Sequence, residues 1–186
     1  MPSIYIIAGC NGAGKTTAAY NLLPEVFKTV EFVNADEIAR GLSPFNPAGV
    51  AFQAAKIMLE RLKHLISRKK SFAFETTLSG LTYLKFIQSA KLKGYDVTLF
   101  FIWLNNFELA KKRVAARVNK GGHNIPEDVI ERRYAKGIKN FPKYLAEVDD
   151  WYIYDNSGAQ YILVAKSIAA QKDIFNFEIY NKLKEK

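Results

Sequence analysis

The sequence predicts an α/β protein, a three-layer αβα sandwich around a mostly parallel sheet of five or six strands. Short apolar runs rich in β-branched and aromatic residues alternate with longer amphipathic stretches. The first of those runs ends in a glycine-rich turn that opens directly into a helical stretch. The 186 residues are 49% hydrophobic and 24% charged, which suits one packed core and is far from a disordered composition.

Residues Ser3 to Ala8 (SIYIIA) form a nearly continuous apolar run, the pattern of a strand buried on both faces. A helix from about Lys15 to Leu23 is stopped by Pro24, and a short strand follows at Val30 to Val33. From Pro47 to Ser67, Ala51, Ala54, Ala55, Met58, Leu62, Leu65 and Ile66 recur at helical spacing, with Lys56, Glu60, Lys63 and His64 on the other face. Ser71 to Phe74 is a third strand leading into Glu75-Thr76-Thr77-Leu78-Ser79-Gly80 and a helix that ends near Gly94. Tyr95 to Leu104, the longest apolar run, is predicted to be central. Asn105 or Asn106 caps the next helix, which ends at Gly121-Gly122. Pro126 then opens a helix with Glu127 and Asp128 in its first turn and a stripe of Ile130, Tyr134, Ile138 and Phe141. Strands at Trp151 to Tyr154 and Tyr161 to Val164, joined by a turn at Asn156-Ser157-Gly158, form a closing hairpin before a terminal helix.

The turn after the first strand, Gly9-Cys10-Asn11-Gly12-Ala13-Gly14-Lys15-Thr16, fits G-x-x-x-x-G-K-S/T and lies between a strand and a helix, as a phosphate-binding loop must. Its glycines let backbone amides converge on phosphate oxygens while the helix N-terminus adds partial positive charge. Gly9, Asn11, Gly12, Ala13, Gly14, Lys15, Thr16 and Thr17 are therefore the candidate nucleotide-binding residues, with Lys15 for the outer phosphates of ATP or GTP and Thr16 as a Mg²⁺ ligand. The sandwich is accordingly expected to be of the P-loop NTPase type, and of its kinase-like branch. The chain lacks the N-K-x-D segment of a GTP switch, and its longest strand ends in Trp103-Leu104-Asn105-Asn106 rather than in the metal-holding Asp of a motor ATPase.

Ligands of such sheets gather beyond the carboxyl ends of the strands. Asp36, after the second strand, and Glu75, at the end of the third, fall there. A kinase needs one carboxylate to take the proton of the acceptor hydroxyl, and that role goes to Asp36. Glu75 would hold the acceptor or the water shell of the metal. Helix capping is the competing role for Asp36, since Asn34 and Glu37 have the spacing of a capping box, and a strand-end ion pair is the competing role for Glu75.

The formal charge of +9 draws anions, and most of it is local. From Lys111 to Lys143 ten basic residues, Lys120 among them, face three acidic ones, a net of +7. Arg113 and Arg117 share a helix face, and Arg132 and Arg133 lie on the following helix, so the stretch from about 106 to 141 reads as a basic helical flap able to bring guanidinium groups over a transferring phosphoryl group. His123 is read as a loop hydrogen-bonding residue and His64 as a surface one. The whole chain, 1–186, reads as one domain. The lone Cys10 forms no internal disulfide, no apolar run approaches the ~20 residues of a membrane span, and Met1-Pro2-Ser3-Ile4 has no leader pattern, so a cytoplasmic location is expected. Nucleic acid is a weaker expectation as a partner, because no aromatic-rich basic groove is evident.

GCNGAGKT, NADEIARGL (Asn34 to Leu42), FETTLSG (Phe74 to Gly80) and RVAARVNKGGHNIPEDVIERRY (Arg113 to Tyr134), in this order, resemble the zeta-toxin family of P-loop kinases, particularly its small stand-alone members. The resemblance spans roughly Ser3 to Val164. It implies ATP- and Mg²⁺-dependent phosphorylation of a sugar hydroxyl on a UDP-activated amino sugar such as UDP-N-acetylglucosamine, and an antitoxin protein as partner. It matches Lys15 and Thr16 to the phosphate-loop pair, Asp36 to the catalytic base, Glu75 and Thr76 to the acceptor-binding strand end, and Arg117 with Arg132 or Arg133 to the phosphate-clamping arginines.

Overall fold

A computed structural model describes residues 1–22, 29–119, 121–122 and 124–185, and these build a seven-stranded sheet in the order β2-β3-β1-β4-β5-β6-β7. The chain runs β1 (Ser3–Ala8), α1 (Lys15–Leu22), β2 (Phe32–Val33), α2 (Ala35–Leu42), a 3-10 turn (Pro47–Val50), α3 (Ala51–Ser67), β3 (Phe72–Thr76), α4 (Thr82–Lys91), β4 (Asp96–Trp103), α5 (Phe107–Val118), α6 (Glu127–Leu145), β5 (Asp150–Asp155), β6 (Ile162–Ile168), β7 (Gln171–Ile174) and α7 (Phe177–Lys184). Strands β2, β3, β1, β4 and β5 are parallel, and β6 and β7 add an antiparallel edge. The fold is thus the P-loop kinase-like sandwich the sequence predicts, with more strands than the expected five or six.

Two apolar clusters sandwich the sheet. Ile4, Ile6 and Ala8 of β1 pack with Met58, Leu62 and Leu65 of α3, Phe86 and Ile87 of α4, and Phe141 and Tyr144 of α6. Ile7, on the alternate face, packs with Ala18 and Ala19 of α1 and Ala110 and Val114 of α5. Period-2 alternation along β1 therefore feeds two cores from one strand. Helix α6 joins both, because Ile130 belongs to the second cluster and Ile138 to the first. The predicted stripe is indeed the buried face of this helix, and it spans both sides of the sheet. Gly137 allows that crossing, since a Cβ there would come within 2.5 Å of the Thr77 carbonyl oxygen.

Several boundaries differ from expectation for local reasons. The second strand shrinks to Phe32–Val33, with Val30 83% exposed. The long helix starts as a 3-10 turn because Asn46 caps it, accepting from the Gly49 amide, and Pro47 follows at its first position. Ala51 and Ala55 are exposed rather than part of the buried stripe. Asn106, not Asn105, caps α5 by accepting from the Leu109 amide. Pro126 precedes the first residue of α6, which continues through Pro142 to Leu145. The stop at Leu23 and Pro24, Lys120 and His123 lie outside the described residues. No helix among the described residues is long and apolar enough to cross a membrane.

Candidate active site

Register places the site. Ile7 of β1 pairs with Glu75 of β3, and Phe74 pairs with Val33 of β2, so three parallel strands end at one level. From those ends project the Gly9–Thr16 loop, Glu75, and the Asn34–Asp36 turn into α2. A cavity of about 170 Å³ there is lined by Asn11, Gly12, Gly14, Lys15, Thr16, Thr17, Asp36, Glu75, Arg113 and Arg117. A larger groove of about 780 Å³ lies between α3 and α4, away from the loop, and has no carboxylate in its lining.

Glu75 is the hub. Its Oε1 lies 3.4 Å from Lys15 Nζ, and its Oε2 accepts from Thr16 Oγ1 at 2.7 Å and from Asn34 Nδ2 at 3.1 Å. The side chains of this ion pair are only 6% and 9% exposed, and Lys15 Nζ also donates to the Cys10 carbonyl at 2.9 Å. A buried charge pair is tolerated only when each partner is further hydrogen-bonded, and both are. Glu75 thus makes the ion pair weighed as its alternative role, and makes it with the phosphate-loop lysine.

Glu75 sits on β3, one of the two parallel strands that flank β1, where Phe72-Ala73-Phe74 is an apolar run ending in Glu75. The Trp103-Leu104-Asn105-Asn106 end belongs to β4, the other flanking strand, and contributes no residue to the cavity wall.

Asp36 is half-buried and faces the cavity. The cap of α2 belongs to Asn34, whose Oδ1 accepts from the Asp36 amide at 2.8 Å, while Glu37 pairs with Arg40 at 3.5 Å on the surface. Capping therefore uses the backbone of Asp36 and leaves its carboxylate without a hydrogen bond or ion pair among the described residues. Glu37, expected in the cap, takes no part in it.

The flap helices bring some of the predicted arginines and not others. Arg113 and Arg117 of α5 line the cavity, and Arg133 of α6 donates to the buried Asn11 Oδ1 at 3.4 Å. Arg132 is exposed and stands outside this group. Lys111 ties the two helices together through Glu127 at 3.2 Å. Thr76, expected on the acceptor side, is not in the cavity wall: its hydroxyl accepts from the Leu78 amide and supports a left-handed residue, Leu78 with φ 55°. Burial in the loop pushes the Cys10 thiol up to about 11, although Lys15 and Arg113 pull the other way. The same cause, aided by the neighbouring Cys10, pushes the Tyr134 hydroxyl up to about 12.

Sequence reasoning gave the turn Asn156-Ser157-Gly158 no part in the site. Asn156 Nδ2 donates to the Ala13 carbonyl at 2.9 Å, Tyr161 Oη to the Gly14 carbonyl at 2.9 Å, and Arg113 Nη2 to the Gly158 carbonyl at 3.1 Å. These contacts join residues up to 147 positions apart, and no local pattern signals them.

The structure of the AvrRxo1-ORF1:-ORF2 complex with ATP is similar in fold, with a TM-score of 0.81 at 20% identity, over 99% of this chain and 64% of the chain it matches. This protein therefore spans less than two thirds of that neighbour. The PezAT chromosomal toxin-antitoxin system of Streptococcus pneumoniae gives a TM-score of 0.65 at 20% identity, over 87% of this chain and 70% of that one. An uncharacterised protein of Haemophilus influenzae is 33% identical over 127 residues, 68% of this chain and 88% of that protein. The zeta toxin family model matches residues 1–166. With a P-loop, a neighbouring acidic strand end and a basic helical excursion assembled on this sheet, the chain belongs to the zeta toxin family of P-loop kinases.

Proposed function

We propose that this chain transfers the terminal phosphoryl group of ATP to a sugar hydroxyl of a UDP-activated amino sugar such as UDP-N-acetylglucosamine. The observation that carries the reading is the Asp36 carboxylate, unengaged among the described residues and in one cavity with Lys15 and Thr16. A carboxylate there takes the proton of an acceptor hydroxyl as its oxygen attacks phosphorus. The new O–P bond forms, the bond to the bridging oxygen of ADP breaks, and the proton ends on Asp36. Lys15 and the loop amides hold the outer phosphates, while Arg113, Arg117 and Arg133 supply positive charge around them. Glu75 orients Lys15 and Thr16 and borders the acceptor side.

Mg²⁺ fits the donor set. Thr16 Oγ1 and Glu75 Oε2 are adjacent hard oxygens at the loop, and the described residues hold no cluster of three or more His, Cys, Asp or Glu. Such a poor protein ligand set suits a metal that takes most of its ligands from water and phosphate. When bound, Mg²⁺ supplies charge neutralisation on the phosphates.

ATP as donor is supported by the neighbour determined with ATP, and an antitoxin partner by the toxin-antitoxin neighbour of Streptococcus pneumoniae. The excursion from about 106 to 141 acts as the flap of a single domain, and a cytoplasmic location suits the proposed substrates. The test is incubation with ATP, Mg²⁺ and a pool of UDP-sugars and other metabolites, followed by mass spectrometry. A phosphorylated UDP-amino sugar with matching ADP is the expected result. Phosphorylation of a different alcohol would replace the acceptor, and a complete lack of acceptor-dependent ADP release would remove the kinase reading.

A further inference from the structure

We infer that Asn156 and Tyr161 are positioning residues for the nucleotide's phosphates, acting by fixing the orientation of two peptide units in the phosphate loop. The inference rests on the kinase reading and adds residues to it from the turn between β5 and β6.

In a trans peptide the C=O and N–H point in opposite directions. Pinning the Ala13 carbonyl on one side therefore aims the Gly14 amide to the other. Asn156 Nδ2 does this pinning at 2.9 Å, from a side chain only 8% exposed. The next peptide is treated alike: the Gly14 carbonyl accepts from Tyr161 Oη at 2.9 Å as well as from the Ala18 amide, which directs the Lys15 amide away from both. Gly14 and Lys15 line the cavity, so both amides belong to its phosphate-binding wall.

The fit is close enough to be selective. Gly14 has φ +93°, and a Cβ on it would stand 2.5 Å from Tyr161 Oη and 2.8 Å from Asn156 Nδ2. The left-handed glycine and the two donors thus form one unit, in which the donors choose among the peptide orientations that glycine permits. The same turn accepts from Arg113 at the Gly158 carbonyl, linking loop and flap.

The test is direct binding of ATP and, separately, of inorganic tripolyphosphate to the full chain. Asn156→Leu keeps roughly the side-chain size, adds no charge and removes the donor to the Ala13 carbonyl. It is expected to weaken both ligands about tenfold, the equivalent of one well-made polar contact. Tyr161→Phe removes only the hydroxyl and is expected to weaken both about threefold or more. Parallel loss of tripolyphosphate is the distinguishing readout, because an effect on base or ribose contacts would spare it. Both variants binding ATP as the unmodified chain does, or losing ATP but not tripolyphosphate, would overturn the inference. Should Asn156→Leu fail to fold, Tyr161→Phe decides alone, since Tyr161 is 37% exposed and losing its hydroxyl leaves the core intact. An unmodified chain that binds neither ligand overturns the nucleotide reading and this inference together.

Discussion

Thr16 Oγ1 donates to Glu75 Oε2 at 2.7 Å, tying the start of α1 to β3, the strand parallel to β1. Through the other oxygen of the same carboxylate, Lys15 is held in a pair whose side chains are 6% and 9% exposed. Glu75→Gln keeps the shape and the hydrogen bonds but leaves a buried ammonium without its counter-charge. Removing one partner of such a pair costs about 3 kcal/mol, whereas removing both charges costs much less. Urea unfolding should show that loss for Glu75→Gln and a partial recovery in the Lys15→Met, Glu75→Gln double variant. Equal stability of all three proteins would mean the pair is not formed in solution.

Asp36 behaves oppositely because its carboxylate has no hydrogen bond or ion pair among the described residues. Asp36→Asn should leave unfolding free energy within about 0.5 kcal/mol of the parent while turnover falls about 10²- to 10⁴-fold and ATP affinity persists. Asn34→Ala is the control. It removes the cap of α2 and a donor to Glu75, and should cost about 1 to 2 kcal/mol. A folded Asp36→Asn protein with full turnover would assign the proton to another group.

The legible parts of this chain were those where local chemistry and fold agree. The limits of β1 and the buried stripe of α6 follow from side-chain periodicity, and the cap at Asn34 from its short polar side chain. What was not legible depends on strand order or on unusual turns. The hydrogen bond from Thr16 to Glu75 needs β3 beside β1, and nothing local encodes that pairing. The last strand was missed for a different reason. The β6–β7 turn puts Ala169 and Ala170 at φ 49° and 65°, left-handed positions where Asn-Gly would have announced a hairpin, and β7 itself reads Gln-Lys-Asp-Ile. Thr76 was placed on the acceptor side by the resemblance, but its hydroxyl is turned to the Leu78 amide.

Cys10 gives a pH-dependent prediction. Its thiol is 8% exposed, and burial raises it from the ordinary value of 9.0 to about 11. The folded state therefore keeps the proton longer than the unfolded one, so the stabilisation is complete below pH 9 and is lost as pH rises toward 11. Native protein at neutral pH should resist iodoacetamide, react on unfolding, and lose stability over that alkaline window. Cys10→Ala should flatten this part of the profile. Rapid alkylation of the folded protein at neutral pH would contradict the burial of the thiol.

The arginines of the flap should separate by position rather than by charge. Arg113 and Arg117 face the cavity and Arg133 reaches Asn11, so each can meet charge that develops on the phosphoryl group. Arg132 sits one residue from Arg133 but on the exposed side of α6, where solvent and salt screen it. A donor aimed at developing charge is worth about 10²-fold in turnover, and a screened surface charge almost nothing. Alanine at 113, 117 or 133 should therefore lower kcat by about that factor, with a smaller change in the KM for ATP. Arg132→Ala should stay within about twofold of the parent at low ionic strength. A loss at Arg132 equal to that at Arg133 would mean that α6 rotates when substrate binds, bringing its exposed face over the cavity.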